Sequence, residues 1–199
     1  MNSALSSNEK RALLAQLLQA KAAKIIRYAP TTVGQQALWV LHSRFPQSAS
    51  YNIAFCARID GALQVPALQR TLQALVQRHS ALRAHFVLHD GNLQQAIAGF
   101  RELPWQVVDV SGLSDAQLKA RMAKDHKRPF HLSHEIPIRA TLYQVAAERH
   151  ILLIDIHHIV FDAWSLWLCA EEIFRLYELE IGTGQPVPPL AARFEDYAE

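Results

Sequence analysis

The spacing of apolar side chains changes period repeatedly along this chain, and each change marks an element. Near the N-terminus, Ser6 and Glu9 have the spacing of a helix capping box, and Leu13, Leu14, Leu17 and Leu18 line one face beyond them. A helix is predicted there, ending before Pro30. From Tyr51 onward strands and helices alternate. Residues 53–59 read as a strand that stops at Asp60-Gly61, and residues 65–79 as a helix carrying Leu68, Leu72, Leu75 and Val76 on one side. Residues 84–88 and 93–98 form a predicted hairpin around Asp90-Gly91, and residues 105–110 another strand. Ser114 with Gln117 caps a helix running toward Lys124, and residues 138–145 pair with residues 151–157 across a short turn. The last long helix, residues 164–181, has little polar surface and is predicted to be mostly buried. Gly182 and Gly184 end it, and Pro186, Pro188 and Pro189 lead to a short terminal piece with Phe194 and Tyr197. Mixed strands with helices on one side predict an α/β fold, a two-layer α/β sandwich.

Composition narrows the picture to one globular domain: 199 residues, 50% of them hydrophobic, with 20 basic and 18 acidic side chains and a formal net charge of +2. That charge, with no basic run carrying interleaved aromatics, argues against nucleic-acid binding. No apolar stretch has the length of a membrane span. Cys56 and Cys169 lie far apart in apolar segments, as expected of buried thiols in a reducing cytosol, so the expected setting is cytoplasmic. Gln16, Gln19, Lys21 and Lys24 interrupt any signal-peptide core. Residues 1–29 are read as a linker helix, or a docking helix for an upstream partner, and residues 30–199 as the domain proper.

The chemistry concentrates in His157-His158-Ile159-Val160-Phe161-Asp162-Ala163-Trp164-Ser165, which closes a strand and opens a helix. Side chains alternate along a strand, so His158 shares a face with Ile154 and Ile156, and His157 the opposite face with Leu153 and Asp155. The pair therefore cannot jointly grip one metal ion. His158 is expected toward the open face and His157 inward. A core histidine satisfied by a backbone carbonyl is the competing reading of His158. Asp162 suits either a helix N-cap or a charge partner that fixes the turn. Asp155 and His157 have the spacing of two metal ligands, yet no third is evident although His79, His85 and His131 exist, and no metal site is predicted. Ser165 lacks the glycine-flanked elbow of a nucleophile. Trp39, Trp164 and Trp167 are expected as core and tunnel wall.

The histidine stretch resembles the HHxxxDG signature of the condensation domains of nonribosomal peptide synthetases, which share the chloramphenicol acetyltransferase-like fold. Other segments agree in order. Residues Thr32 to Trp39 resemble the opening SxAQxRLW motif, with Tyr51-Asn52-Ile53 after it. Residues Arg78 to Phe86 resemble RHExLRTxF, and Pro129-Phe130-His131-Leu132 with Pro137-Ile138-Arg139 resembles PFDLxxxPLxR. The departures are Ala163 for glycine, Ala37 for arginine, Ser80 for glutamate and His131 for aspartate. Ala163 matters most, because a position needing positive φ, or close approach of a thioester, would not tolerate a methyl group.

The resemblance implies an N-terminal lobe of a V-shaped pseudodimer, with a C-terminal lobe absent from this sequence. It makes His158 catalytic, supported by His157, Asp162, Arg83, Ala163, Trp164 and Ser165, and assigns Asp162 an ion pair with Arg83, with Arg139 as competing partner. Backbone N–H groups at 163–165 are candidates to hold an oxyanion. The implied reaction is amide formation between thioesters carried on the 4'-phosphopantetheine arms of upstream and downstream acyl or peptidyl carrier proteins, with no cofactor bound by the lobe itself. Cyclisation domains, which replace the histidines with aspartates, are excluded. Epimerisation domains usually have tryptophan where Leu166 stands. A freestanding acyltransferase of the same fold and a non-catalytic carrier-interaction module are the alternatives.

Overall fold

The computed structural model describes residues 24–198. The predicted N-terminal capping box and leucine face lie outside the described residues. Strand β1, Ile25–Pro30, opens the described chain and pairs antiparallel with a strand far away in sequence. The folded unit therefore starts before the expected boundary at residue 30. Ile26 and Tyr28 face outward from β1 and hide its alternation, so only its long-range pairing reveals it as a strand. Helix α1, Val33–Arg44, follows, its N-terminus closed by a capping box between Thr32 and Gln35. That signal was readable in the sequence, but exposed Val33 and Val40 blur its apolar face.

The remaining order is β2 Asn52–Asp60, α2 Val65–Arg78, a 3₁₀ turn Ser80–Arg83, β3 Ala84–His89, β4 Asn92–Ala98, β5 Trp105–Asp109 and α3 Asp115–His126. Strands β6 Ile138–Ala146 and β7 Arg149–His157, then helices α4 Ala163–Glu180 and α5 Phe194–Ala198, complete it. The β3–β4 hairpin turns at Asp90 and Gly91 with φ of 50° and 77°, the left-handed pair that an Asp-Gly hairpin supplies cheaply. One sheet has the order β1-β4-β3 and the other β2-β7-β6-β5, antiparallel except for parallel β5 and β6.

The sandwich core lies between the four-stranded sheet and helices α2 and α4. Leu68, Leu72, Leu75 and Val76 of α2 pack with Ile138, Ala140 and Leu142 of β6 and with Leu152, Ile154 and Ile156 of β7. Phe86, fully buried, ties the small sheet to this core, and its backbone N–H donates to the Leu132 carbonyl at 2.7 Å. One helix departs from the expected single helical layer. Leu118 and Met122 of α3 pack against Tyr143 and Leu153 on the other sheet face.

Helix α4 is not mostly buried, contrary to its apolar composition. Leu166, Cys169, Ile173 and Leu176 recur at helical spacing and suffice to seat it on the core, and only Leu176 is buried outright. Trp164, Trp167 and Phe174 stand 71%, 73% and 71% exposed, so the two tryptophans are not core. Trp39 does pack against the core. Cys56 is exposed on edge strand β2 rather than buried, because the sheet's second face is uncovered there, whereas burial pushes the Cys169 thiol up to about 12.

Candidate active site

Strand β7 ends at His157, opposite Asn52 of β2, and the backbone of His158 continues the ladder by donating to the Tyr51 carbonyl at 2.8 Å. The Tyr51-Asn52 pair thus borders the histidines directly. A tight turn follows, with the Val160 N–H donating to the His157 carbonyl at 3.2 Å. Ile159, Val160 and Phe161 all enter the core, so three apolar side chains pin a turn that its polar neighbours leave at the surface.

His157 is 3% exposed and points inward, as strand alternation requires. Its Nδ1 accepts the Ile159 N–H at 3.1 Å, and its ring meets Phe130 and His42 edge-on at 6.2 and 6.0 Å. An Nδ1 that accepts leaves the neutral ring's proton on Nε2. Burial, with the neighbouring His42 and His158, pulls its pKa down to about 4 from 6.5. The unfolded chain therefore binds a proton between those values that the folded chain refuses. The stability His157 contributes is complete above pH 6.5 and is lost as the pH falls through 4, with a slope of at most about 1.4 kcal/mol per pH unit for one proton. Denaturant unfolding between pH 7 and pH 4 should show that loss, and His157→Asn should flatten the profile. An unchanged slope in the variant would count against a buried neutral imidazole.

His158 is exposed, also as expected. Its Nδ1 lies 2.6 Å from the Phe161 carbonyl oxygen, which can only accept, so Nδ1 carries the proton and donates. Nε2 of the neutral ring then carries the lone pair. His158 lines a depression of about 180 Å³ with Thr32, Leu38, Asp162, Ser165 and Phe194.

Asp162 makes no pair with Arg83, and that expectation is corrected. Asp162 Oδ1 accepts both the backbone N–H and the hydroxyl of Ser165, each at 2.8 Å, which makes it the N-cap of α4 and lowers its pKa. Arg83 is buried among carbonyls instead, donating to those of Val76 at 3.1 Å, Gly99 at 3.2 Å and Ala98. The 3₁₀ turn directs its side chain to the ends of α2 and β4, away from the histidine turn. Arg139 is not the alternative partner. Its Nε lies 3.4 Å from Asp155 Oδ2, its Nη2 donates to the Arg128 carbonyl at 2.6 Å, and its guanidinium stacks over Phe130 at 4.0 Å. Asp155 also accepts from His126 Nδ1 at 2.7 Å, so Arg139 and His126 occupy the carboxylate considered as a metal ligand.

The proposed oxyanion donors at 163–165 also need correction, because the Ser165 N–H is held by Asp162 and the Trp164 N–H is directed to the same carboxylate. Ala163 opens α4 without positive φ, so its departure from glycine brings no backbone strain. Residues that sequence reasoning passed over are Gln35, Gln95 and Phe194. Gln35 was signalled by its capping-box spacing from Thr32, and Gln95 as a polar side chain inside an apolar strand.

Residues 26–199 match the family model of the condensation domain. The chain belongs to the condensation domain family. This member is 36% identical to a linear gramicidin synthase of Brevibacillus parabrevis over 177 residues, 86% of this chain and 2% of that protein. It is 35% identical to the nonribosomal peptide synthetase TES of Alternaria alternata over 82% of this chain and 3% of that one. Among solved structures, the starter condensation domain of rhizomide synthetase RzmA superposes with a TM-score of 0.74 at 25% identity, covering 81% of this chain and 40% of that one. The X-domain in a complex with OxyB from teicoplanin biosynthesis gives a TM-score of 0.78 at 26% identity, covering 89% and 38%. This condensation-family chain thus spans well under half of the relatives it matches. It has their α/β fold, and among its described residues no helix is long and apolar enough to cross a membrane.

Proposed function

We propose that this chain supplies the N-terminal lobe of a condensation domain which, with a second lobe, joins a carrier-bound acyl or peptidyl thioester to the amine of a carrier-bound aminoacyl thioester. The observation that carries this reading is the fixed tautomer of His158: Nδ1–H is spent on the Phe161 carbonyl, and Nε2 keeps a lone pair beside an open depression. As the amine nitrogen attacks the thioester carbon, Nε2 accepts its proton. The adduct collapses as its oxyanion re-forms the carbonyl C=O and the C–S bond breaks, and the departing thiolate takes the proton back from the imidazolium. The 4'-phosphopantetheine arms belong to the substrates and their carrier proteins; no cofactor is assigned to the lobe.

A lobe spanning 40% of a solved condensation domain supports a site with one wall supplied elsewhere. Orientation of two tethered reactants is worth roughly 7–11 kcal/mol of barrier when both are held. Residues 1–199 with pre-loaded carrier proteins should therefore give no amide above background by mass spectrometry, and joining the second lobe should restore it. Turnover by residues 1–199 alone would overturn the two-lobe mechanism. A second reading, a non-catalytic interaction module, is favoured by the likeness to the X-domain and by exposed Trp164, Trp167 and Phe174 on one helix. Absence of product from a two-lobe protein with confirmed carrier loading would select it.

A further inference from the structure

Gln35 is 3% exposed and Gln95 1% exposed, and the two amides form one chain across the lobe. Gln35 Nε2 lies 3.2 Å from Gln95 Oε1 and 3.1 Å from the Ile159 carbonyl oxygen, while its Oε1 accepts the Thr32 N–H at 3.1 Å. Gln95 Nε2 donates to the Pro30 carbonyl at 2.8 Å. Two carbonyls can only accept and the Thr32 N–H can only donate, so just one orientation of both amides satisfies every bond. Both amides are therefore fixed, with Gln35 donating outward to Gln95 and to Ile159 and Gln95 donating to Pro30. The chain joins β1 and β4 of the small sheet, through the start of α1, to the middle of the histidine turn.

Ile159 is held from both sides of its peptide: its N–H by His157 Nδ1 and its carbonyl by Gln35. Two residues further on, the Phe161 carbonyl sets the tautomer of His158. We infer that Gln35 is a positioning residue for His158, acting through the backbone of this turn, with Gln95 orienting its amide. Gln35 also lines the depression beside His158, so the clamp forms part of the floor on which a substrate rests. The inference rests on the proposed role of His158 only for its effect on rate; its effect on the imidazole stands apart from any reaction.

The test is long-range ¹H–¹⁵N correlation NMR of the His158 ring in residues 1–199. The unsubstituted chain should show the Nδ1–H tautomer. Gln35→Met keeps the side-chain length and removes the donor, and should bring the two ¹⁵N shifts toward each other as the tautomers mix. Gln95→Met leaves Gln35 without its orienting acceptor and should move the shifts the same way by less, which keeps the test alive if Gln35→Met does not fold. Leu118→Ala, on the far face of the sheet, serves as a control for lost stability alone and should leave the His158 shifts in place. Unmoved shifts in a folded Gln35 or Gln95 variant, or an equal movement in Leu118→Ala, would overturn the inference. In a two-lobe protein the same Gln35→Met should lower the single-turnover rate about 100-fold with carrier affinity unchanged. The expected movement of the His158 shifts with no effect on the rate would instead count against His158 as the reacting group.

Discussion

His158→Ala in a parent synthetase is expected to cut single-turnover amide formation by roughly 100- to 10,000-fold, the usual range for removing a positioned general base. Loading of the upstream thioester should be unaffected, because the imidazole stands at the turn surface and supports nothing beneath it. Its hydrogen bond to the Phe161 carbonyl is made by the side chain that is lost. Ile159, Val160 and Phe161 continue to pin the turn. The loss is therefore chemical rather than structural, and the melting temperature of residues 1–199 should stay near that of the unsubstituted chain. Single-turnover condensation with pre-loaded carriers, read by mass spectrometry, measures the rate directly. His158→Gln separates two roles, since an amide nitrogen near the Nε2 position offers a hydrogen bond but no base: a rate close to wild type in that variant would favour hydrogen bonding to the adduct over proton transfer. An undiminished rate in His158→Ala would remove His158 from the mechanism.

The largest stability effect is expected at Asp155 rather than Asp162. Asp155 and Arg139 have side chains 4% and 7% exposed, and removing one member of such a pair leaves the other charge buried, at roughly 3–5 kcal/mol. Asp155→Ala should thus lower the melting temperature on the order of 10 °C in a chain of this size. His126 and the carbonyls at the end of α3 do not rescue it, because all of them are already engaged around the same guanidinium and carboxylate. Asp162→Ala loses only an N-cap, about 1 kcal/mol. Replacing both members of the buried pair, as in Asp155→Leu with Arg139→Met, should recover much of the loss. Thermal unfolding of the three variants decides the matter. A larger effect at Asp162 than at Asp155 would mean that the capping aspartate carries the charge pairing after all.

Both predictions bear on how the motif is built. The residues around His157 serve as a rigid bed: Phe130 and His42 meet its ring, and Arg139 lies over Phe130 while holding Asp155 on the same strand face. Segments that resemble separate motifs in the sequence are thus one packed layer beneath the exposed imidazole. The segment from Thr32 to Trp39 joins that layer from the other side through Gln35.

Local chemistry by itself determined most of the elements, because capping boxes, an Asp-Gly hairpin and alternating apolar residues act within a few residues of one another. It also put the two histidines on opposite faces, since the alternation of a strand is intrinsic to its backbone, although His158 owes its exposure to its place just past the end of β7. It did not reveal β1, whose outward face is as apolar as its inward one, nor the open face of α4, whose composition looks buried because exposure depends on what packs beside it. The N-cap role of Asp162 was open to it, since Ser165 lies three residues on, but the partners of Arg83 and Arg139 were beyond it. A charged side chain takes whichever acceptors the surrounding elements bring within reach, and those acceptors, carbonyls at the ends of α2, α3 and β4, come together only when the layers close. The Gln35–Gln95 chain follows the same rule: neither amide's partners were legible in the sequence, and only the meeting of distant elements made them a single link to the histidine turn.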